Sequence, residues 1–478
     1  MSEVPADAAA TSQLASFIVE AEVPATARQT ARRYLLDWLG SALAGGEMRP
    51  PSLVREVVTG LGGHAQATVL ASGERTSAPL AALANAAASH VLEMDDLDPG
   101  SIYHPAAPTV SAALAVAEHV GPDGDALLDA IAIGYEVGIR VGEALGPSHY
   151  EHWHTTGTAG TFGAAASAAR LHGLTSEETL YALGSAGTTT AGLWEFLSDG
   201  AMSKQLHPAK AAHDGILSVL LAQQGFTAAT HILEGPKGVL AAMSSEAFPE
   251  RLTDGLASLS TEVPAAGEMA SWRIEGVAFK VHAACRHTHS AVDAALQLRA
   301  EHSLEPGQIE SVHVRIYEQA LGLLGGMEPT TPYAAKFSLP FCVAAALQFG
   351  DLGPGRFSES TIREQTTLDL ADKVSFSTDP EFDAEYPAAW PSLVSVRMSD
   401  GTEVSARVDY PAGDIKAGVE NSDLTSKFAL MTGGYFGDEA AAVAERVLSA
   451  EPAMSASEVV RAVRTGGLAM VGGRQGGW

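Results

Sequence analysis

The sequence predicts a mainly α fold, with a large all-helical domain and a smaller α+β lid domain. From residue 12 to about residue 265 the chain reads as one helix after another, joined by short turns that carry Gly, Pro or Asp. β-rich runs follow, and the chain becomes helical again after Gly413. We therefore expect a helical domain made of residues 1–270 and 414–478, with the lid inserted at residues 271–413.

The predicted helices of the first segment share an apolar or small-residue face. The helix from Pro24 carries Ala27 and Leu35 on one side and ends before Gly45. Ser77 is a candidate N-cap for a helix so rich in alanine that its neighbours can approach closely. The predicted helices are Pro24–Ala44, Pro79–Met94, Pro108–Val120, Asp123–Leu145, Gly157–Leu171, Ser176–Thr190 and Ala209–Gln224.

The lid is predicted from its strands. Alternating apolar and polar residues mark Ser311–Tyr317, Ser392–Met398 and Glu403–Val408 as strands. The last two flank an Asp-Gly turn at residues 399–401, which is typical of a hairpin. The remaining predictions are lid helices at Ser290–Glu301 and Phe337–Gln348, return helices at Asp423–Leu430 and Asp438–Leu448, and a mobile glycine-rich tail at Gly466–Trp478.

The composition excludes several classes of partner. Of 478 residues, 57 are Asp or Glu and 29 are Lys or Arg, so the net charge is −28. A surface this acidic repels nucleic acid and anionic lipid, and no apolar stretch approaches the ~20 residues of a membrane-spanning helix. The N-terminal residues lack a signal-peptide pattern, and the only cysteines are Cys285 and Cys342. We predict a cytoplasmic globular protein that binds neither nucleic acid nor membrane.

An acidic segment follows the predicted alanine-rich helix. Glu93, Asp95 and Asp96 gather at the C-terminal end of that helix, and His104 follows after a loop. The helix macrodipole disfavours negative charge there, which tends to raise carboxyl pKa values. The segment is a candidate for acid–base chemistry, and a solvated acidic loop is the alternative.

Three histidines precede the next helix with small residues. His149, His152 and His154 lie ahead of a helix N-terminus, which offers unpaired N–H groups to a carboxylate. Histidine at such a place can act as an acid or a base near neutral pH. The spacing does not match a helical metal-binding pair, so we predict no metal site. In the alternative interpretation, Thr155 or Thr156 simply caps the helix.

Lysines are scarce, and some lie where they could bind anions. The chain holds eight, of which Lys204 occupies a Gly-flanked turn and Lys336 precedes a lid helix. A solvated lysine is the alternative for any one of them. Together, the histidines, lysines and carboxylates suit proton abstraction next to a carboxylate, where cations stabilise the dianion and an acid protonates the departing group.

A polar segment lies near the start of the lid. After Lys280 it carries Cys285, Arg286, His287 and His289. These residues could be ligands, a nucleophile with its base, or plain polar groups at a hinge. No Cys-x-x-Cys motif accompanies them, which weakens the case for a structural metal site.

The order of these motifs resembles the MmgE/PrpD family over nearly the whole chain. The segments that carry the resemblance are Glu93–Asp96, His104 with Pro105, Trp153–Thr158, Met202–His207, Lys280 and Cys285–His289. The family includes 2-methylcitrate dehydratase, cis-aconitate decarboxylase and iminodisuccinate epimerase. The resemblance implies a helical domain completed by the C-terminus, an α+β lid, a homodimer, and no metal or organic cofactor.

The resemblance also implies site residues. The two His and two Lys of the decarboxylase branch fall on His104, His154, Lys204 and Lys280. Three positions depart from that branch, since Glu93 replaces an Asp, Leu97 a Thr and Cys285 a His. These departures argue against cis-aconitate decarboxylation and leave the shared His and Lys residues in place.

We therefore predict a cofactor-independent lyase, most simply a dehydratase, that acts on a small anionic di- or tricarboxylate. His154 or His104 removes the proton next to a carboxylate, and the other histidine donates to the leaving hydroxyl. Lys204 and Lys280 bind carboxylates. The other residues expected to bind substrate are Glu93, Asp96, Thr155, Cys285, Arg286 and His287. The alternatives are an epimerase or isomerase that uses the same histidines, a decarboxylase, and a non-catalytic binding protein.

Overall fold

The computed structural model describes residues 9–198, 200–259, 271–324 and 326–465. They form two compact units. The first unit takes its described residues from Met1–Val91, Asp95–Val277 and Asn421–Arg474, and the second takes its own from Leu92–Met94 and Ala278–Glu420. The predicted mobile tail at Gly466–Trp478 lies outside the described residues.

The first unit begins with a long series of helices. In chain order its elements are α1 (Ala10–Glu20), α2 (Ala25–Gly45), α3 (Arg49–Leu61), β1 (Ala67–Thr68), β2 (Arg75–Thr76), α4 (Ala78–His90), α5 (Ala106–Val120), α6 (Gly124–Tyr150), α7 (Thr155–His172), α8 (Ser176–Thr189), α9 (Leu206–Gln223), α10 (Val239–Met243) and α11 (Leu256–Leu259). The mainly α fold class predicted from the sequence is confirmed.

Helix α7 forms the centre of the first unit, because every residue from Thr155 to Ala169 is buried. Its small residues let neighbouring helices approach closely. A Cβ atom added at Gly160 would lie 2.7 Å from Cγ of Pro108, in α5, so this position has no room for a side chain. The helix is therefore held in place on all sides, and the residue at its N-terminus is held with it.

The second unit combines helices with a four-stranded sheet. Its elements are α12 (His289–His302), β3 (Ile309–Ile316), α13 (Glu318–Leu324), α14 (Pro332–Ala335), α15 (Leu339–Phe349), α16 (Gln365–Ala371), β4 (Val374–Thr378), α17 (Pro380–Glu385), β5 (Ser392–Met398) and β6 (Glu403–Val408). The strand order is β4-β3-β5-β6, with β3 and β4 parallel and the other pairs antiparallel. The predicted hairpin is confirmed, since β5 pairs with β6 from Ser392 opposite Val408 to Arg397 opposite Glu403.

The chain then returns to the first unit through three helices. These are α18 (Asn421–Phe436), α19 (Ala440–Ser449) and α20 (Ala456–Thr465). Lys427 of α18 forms a buried ion pair with Asp37 of α2, 2.5 Å apart.

In the described part of the chain, no helix combines the length and the apolar character that crossing a membrane requires.

Some local predictions are wrong. Residues 224–259 and 271–277 hold mostly turns and short helical pieces, whereas the sequence predicts one helix after another to about residue 265. Gly225, with a φ of 79°, follows the C-cap of α9, and Pro249 is the first residue of a four-residue 3₁₀ helix. Strand β4 is absent from the prediction, although its first four residues alternate between apolar and polar; the strand is only five residues long. Helix α4 ends at His90 instead of Met94, and Glu93 has a φ of 60°.

Candidate active site

Three buried histidine rings lie together in the first unit. His90 is the last residue of α4, His104 lies just before α5, and His154 is the N-cap of α7. The ring centroid of His90 is 5.0 Å from that of His104 and 5.5 Å from that of His154. His104 and His154 are 6.3 Å apart. The structure thus brings together the two histidines predicted as acid and base, and it adds His90 to them.

Asp95 and a backbone carbonyl orient two of these rings. Oδ2 of Asp95 is 2.6 Å from Nδ1 of His90 and 3.4 Å from Nδ1 of His104. Nδ1 of His104 is also 2.6 Å from the carbonyl oxygen of Asp96. Because a carbonyl oxygen can only accept, the neutral His104 ring carries its proton on Nδ1 and keeps a lone pair on Nε2.

The same group has the spacing of a metal site. Ligand atoms of His90, Asp95 and His104 lie within 4.8 Å of one another. The two imidazoles already have hydrogen-bond partners in the protein. Nδ1 of His90 contacts the Asp95 carboxylate, and Nδ1 of His104 contacts the Asp96 carbonyl. We interpret the group as a carboxylate that orients imidazoles, and the absence of a metal site stays a prediction.

His154 has a second imidazole partner, His207, in the first turn of α9. Their Nδ1 atoms are 3.0 Å apart. Burial lowers the pKa of His154 well below its ordinary value, and like charge from His207 and Lys204 lowers that pKa further. Burial also lowers the pKa of His207 to about 4. Both rings are therefore neutral at neutral pH, the form in which an imidazole can accept a proton.

Lys204 and Thr155 lie beside this histidine group. Lys204 is 2% exposed, and its charge acts on both His154 and His207. Thr155 is the first residue of α7 and is buried. His154 occupies the N-cap position, so the alternative in which Thr155 or Thr156 caps the helix is wrong.

Asp96 lies next to the histidine group and is held by internal contacts. Its Oδ2 accepts from the Tyr135 hydroxyl at 2.7 Å, and its Oδ1 accepts from the Ala106 N–H at 3.0 Å. Burial raises the pKa of this carboxyl well above its ordinary value, which favours its protonated form. These contacts favour a structural role over the substrate contact predicted from the sequence.

The other two histidines ahead of α7 do not join the group. His149 is hydrogen-bonded to the Met243 carbonyl at 3.0 Å and to the Thr158 hydroxyl at 2.8 Å, and burial lowers its pKa to about 4. His152 is exposed. Of the three histidines in this segment, only His154 contacts the rings of His90 and His104.

A buried ion pair lies in the second unit. Nζ of Lys280 is 3.2 Å from Oε2 of Glu93, and both side chains are almost fully buried. The Tyr333 hydroxyl donates to Oε1 of the same carboxylate at 3.2 Å. Lys336 donates to the Leu92 carbonyl at 2.7 Å, which fixes the backbone beside Glu93. Glu93 and Lys280, both predicted as site residues, are therefore direct partners.

The remaining predicted residues of the second unit are held by contacts within it. Arg286 donates to the Asp414 carboxylate at 3.2 Å and to the Phe279 carbonyl at 3.3 Å. His287 is hydrogen-bonded to the Tyr317 hydroxyl at 2.6 Å, and burial lowers its pKa to about 3. The backbone N–H of Cys285 donates to the Lys336 carbonyl. These contacts favour structural roles for Arg286 and His287.

Four residues that the structure places in these groups had no individual role in the prediction from sequence, although Asp95 lies in the predicted acidic segment. These are His90, Asp95, His207 and Tyr333. His207 follows Lys204 by three residues at a predicted helix start, and His90 precedes Asp95 by five, so both stand inside motifs that were recognised. Tyr333 carries no local signal, because its partner Glu93 is 240 residues away in the sequence.

Comparison with known proteins supplies an independent finding. The MmgE/PrpD N-terminal domain model matches residues 12–251, and the MmgE/PrpD C-terminal domain model matches residues 282–450. A cis-aconitate decarboxylase of Aspergillus terreus is 25% identical over 440 residues, 88% of each chain. The cis-aconitate decarboxylase-like protein oryM of Aspergillus oryzae is 24% identical over 94% of this chain and 96% of its own. The human cis-aconitate decarboxylase is 25% identical over 84% of this chain and 82% of its own.

Proposed function

This chain belongs to the MmgE/PrpD family, and from that premise we propose that it is a cofactor-independent lyase acting on a small di- or tricarboxylate. The reaction removes a proton next to a carboxylate and expels a leaving group, most simply a hydroxyl. The enzyme class is supported by relatives named as decarboxylases that match most of the chain.

The observation that carries the proposal is the neutral, buried His154 beside His104, with ring centroids 6.3 Å apart. A neutral imidazole can take a proton from carbon, and a second imidazole nearby can deliver one to the leaving group. His154 acts as the base in this proposal. His104 is the acid and reaches its working form by taking a proton on Nε2.

The lysines supply the positive charge that a dianionic intermediate requires. Lys204 lies close enough to His154 and His207 to act on both electrostatically, which supports a role in binding the carboxylate next to the reacting carbon. Lys280 is the second proposed carboxylate ligand. Its charge is already balanced by Glu93, so Lys280 would bind substrate as part of a polar group that includes Tyr333.

Decarboxylation is the second candidate, and the names of the relatives favour it. Leu97 and Cys285 argue against it, since a Thr and a His are expected at those positions from the family's decarboxylase branch. Epimerisation needs the same pair of histidines and differs only in returning the proton to carbon. The homodimer and the cytoplasmic location predicted from the sequence stay proposals too.

The test is a panel of small di- and tricarboxylates incubated with the purified protein in deuterated water. A dehydratase forms an unsaturated product, which nuclear magnetic resonance and ultraviolet absorbance detect. A decarboxylase releases carbon dioxide, and an epimerase incorporates deuterium without elimination. Failure of all three reactions across the panel would contradict the proposal and favour a binding protein.

Paired variants link the reaction to the residues. We expect His154→Asn to lower kcat by roughly 10²–10⁴-fold, the usual contribution of a general base, with little change in thermal stability. His152→Asn is the matched control, because this exposed histidine lies two residues earlier in the chain. Equal activity of the two variants would refute the role of His154.

A further inference from the structure

A hydrogen bond joins Nδ1 of His154 to Nδ1 of His207, and a single proton lies between these two atoms. Their Nδ1 atoms are 3.0 Å apart and their ring centroids 5.2 Å apart. A nitrogen–nitrogen hydrogen bond needs a proton on one atom and a lone pair on the other. In a neutral pair, the position of this proton decides whether Nε2 of His154 is a base or an N–H donor.

The surroundings of His207 favour a ring that stays neutral. His207 is the second residue of α9, where the helix macrodipole disfavours positive charge. Lys204, Lys210 and His90 add like charge around it. Burial and these charges together keep its pKa low, so the ring is neutral and one of its two nitrogens has a lone pair that can accept a hydrogen bond.

The pair is also held rigidly. The backbone N–H of His154 donates to the Gly192 carbonyl at 2.9 Å, and its ring lies 4.8 Å from that of Trp194. A Cβ atom added at Gly157, in the first turn of α7, would lie 3.1 Å from Cβ of His207. Helix α7 therefore packs directly against His207, and the two imidazoles have little freedom to separate.

We propose that His207 is a positioning residue, which accepts the Nδ1–H of His154 and so leaves Nε2 of His154 as the base. This inference rests on the proposed function, in which His154 removes the proton. Nε2 takes that proton, the electron pair of the broken C–H bond stays on the substrate, and the imidazolium keeps donating from Nδ1 to His207. Because His207 is uncharged, it orients the ring without raising its basicity as a carboxylate would.

Three substitutions at one position test the role. His207→Phe removes the acceptor and should lower kcat by about 10- to 100-fold with KM within about threefold, a loss smaller than that of the base itself. His207→Asn keeps an acceptor oxygen near the Nδ1 position and should restore most of the activity. His207→Asp places a carboxylate beside His154 and should move the acidic limb of the kcat/KM profile up by about 1–3 pH units.

His213 supplies the matched control on the same helix. It is half-buried and hydrogen-bonded to Asp214 at 2.8 Å, so His213→Asn should leave both kcat and the pH profile unchanged. Wild-type kcat in the folded His207→Phe variant, or an unmoved acidic limb in His207→Asp, would overturn the proposal.

A measurement without substrate separates this inference from the proposed function. Nitrogen-15 resonances of labelled histidine should show His154 protonated at Nδ1 and unprotonated at Nε2 in the wild type. In His207→Phe they should show a mixture of the two neutral tautomers. A wild-type His154 protonated at Nε2 would overturn the assignment. The expected tautomer together with no turnover of any carboxylate would reject the proposed function and leave only the tautomer assignment of His154 standing.

Discussion

Lys280 and Glu93 form an ion pair of 3.2 Å in which both side chains are almost fully buried, although 187 residues separate them in the sequence. Glu93 holds its side chain there with a φ of 60°, a backbone conformation that non-glycine residues adopt uncommonly. Such strained positions persist only where surrounding contacts fix them. The pair, with Tyr333, is therefore a structural element of the second unit as well as a proposed part of its chemistry.

Neutralising one partner should cost more than the pair contributes. Glu93→Gln keeps an oxygen for the Tyr333 hydroxyl but leaves the Lys280 ammonium buried without its counter-charge. We expect the free energy of unfolding to fall by about 3–5 kcal/mol, measured by urea denaturation. The double variant Glu93→Gln with Lys280→Gln should be more stable than the single one.

An exposed pair provides the comparison for that experiment. Arg363 and Glu359 are 2.6 Å apart, but their side chains are 71% and 57% exposed. Glu359→Gln should change the free energy of unfolding by about 0.5 kcal/mol or less, because solvent screens such pairs. Equal costs for Glu93→Gln and Glu359→Gln would contradict the importance of the buried pair.

Asp95 should matter for turnover through the rings that it contacts. In Asp95→Asn the amide can donate to Nδ1 of His90, which moves the proton of that ring to Nε2. We expect kcat to fall by roughly 10²-fold or more on whichever carboxylate the wild type converts, with KM nearly unchanged. Steady-state kinetics provide the measurement.

Asp98 serves as the control for Asp95. It is also buried in the same loop, but its Oδ2 accepts from the N–H and hydroxyl of Ser101, at 2.8 Å and 2.6 Å. Asp98→Asn should keep kcat within about threefold, since this carboxyl orients no histidine. If Asp95→Asn is as active as Asp98→Asn, the contacts of Asp95 with the histidine rings are dispensable for turnover.

The elements predicted well are those that local pattern decides. Strands β5 and β6 begin and end where alternation and the Asp-Gly turn place them, at Ser392–Met398 and Glu403–Val408. Helix α6 is kinked at Gly146, directly after the predicted helix end at Leu145, because φ there is 69°. Such features need only short-range information.

The parts that sequence could not supply depend on distant contacts. The hydrogen bond between His154 and His207 joins residues 53 apart, and no periodicity or motif records which rings meet. Burial likewise separates His149, which is satisfied by Met243 and Thr158, from its neighbour His154. Residue type and spacing indicated that the histidines were candidates. Tertiary packing then distinguished His154, in the histidine group, from His149, which has structural partners.

Asp96 should tolerate the loss of its charge, because burial raises the pKa of its carboxyl and favours the neutral form. In Asp96→Asn, Oδ1 still accepts from the Ala106 N–H and the amide donates to the Tyr135 hydroxyl oxygen. We expect the free energy of unfolding at pH 7 to change by about 1 kcal/mol or less. Asp37→Asn is the control, since it removes the partner of buried Lys427 and should cost about 3–5 kcal/mol.

The pH dependence gives a second readout at Asp96. The pKa of the Asp96 carboxyl is raised in the native state. Its contribution to the free energy of unfolding is therefore fully present below the unfolded pKa of about 3.9, and it is lost as pH rises through the native pKa. Wild-type stability should therefore decline towards alkaline pH more steeply than that of Asp96→Asn. Parallel declines would mean that Asp96 is ionised in the native protein.

His149 should make the protein sensitive to acid. Burial lowers its pKa to about 4, so its contribution to stability is present above the unfolded pKa of about 6.5 and is lost as pH falls towards the native value. His149→Asn keeps a donor for the Met243 carbonyl but cannot titrate, so between pH 7 and pH 5 it should lose about 2 kcal/mol less stability than the wild type. Urea denaturation at both pH values measures the difference, with exposed His152→Asn as the control that should follow the wild type. The same slope in all three proteins would show that His149 is not buried in the neutral form.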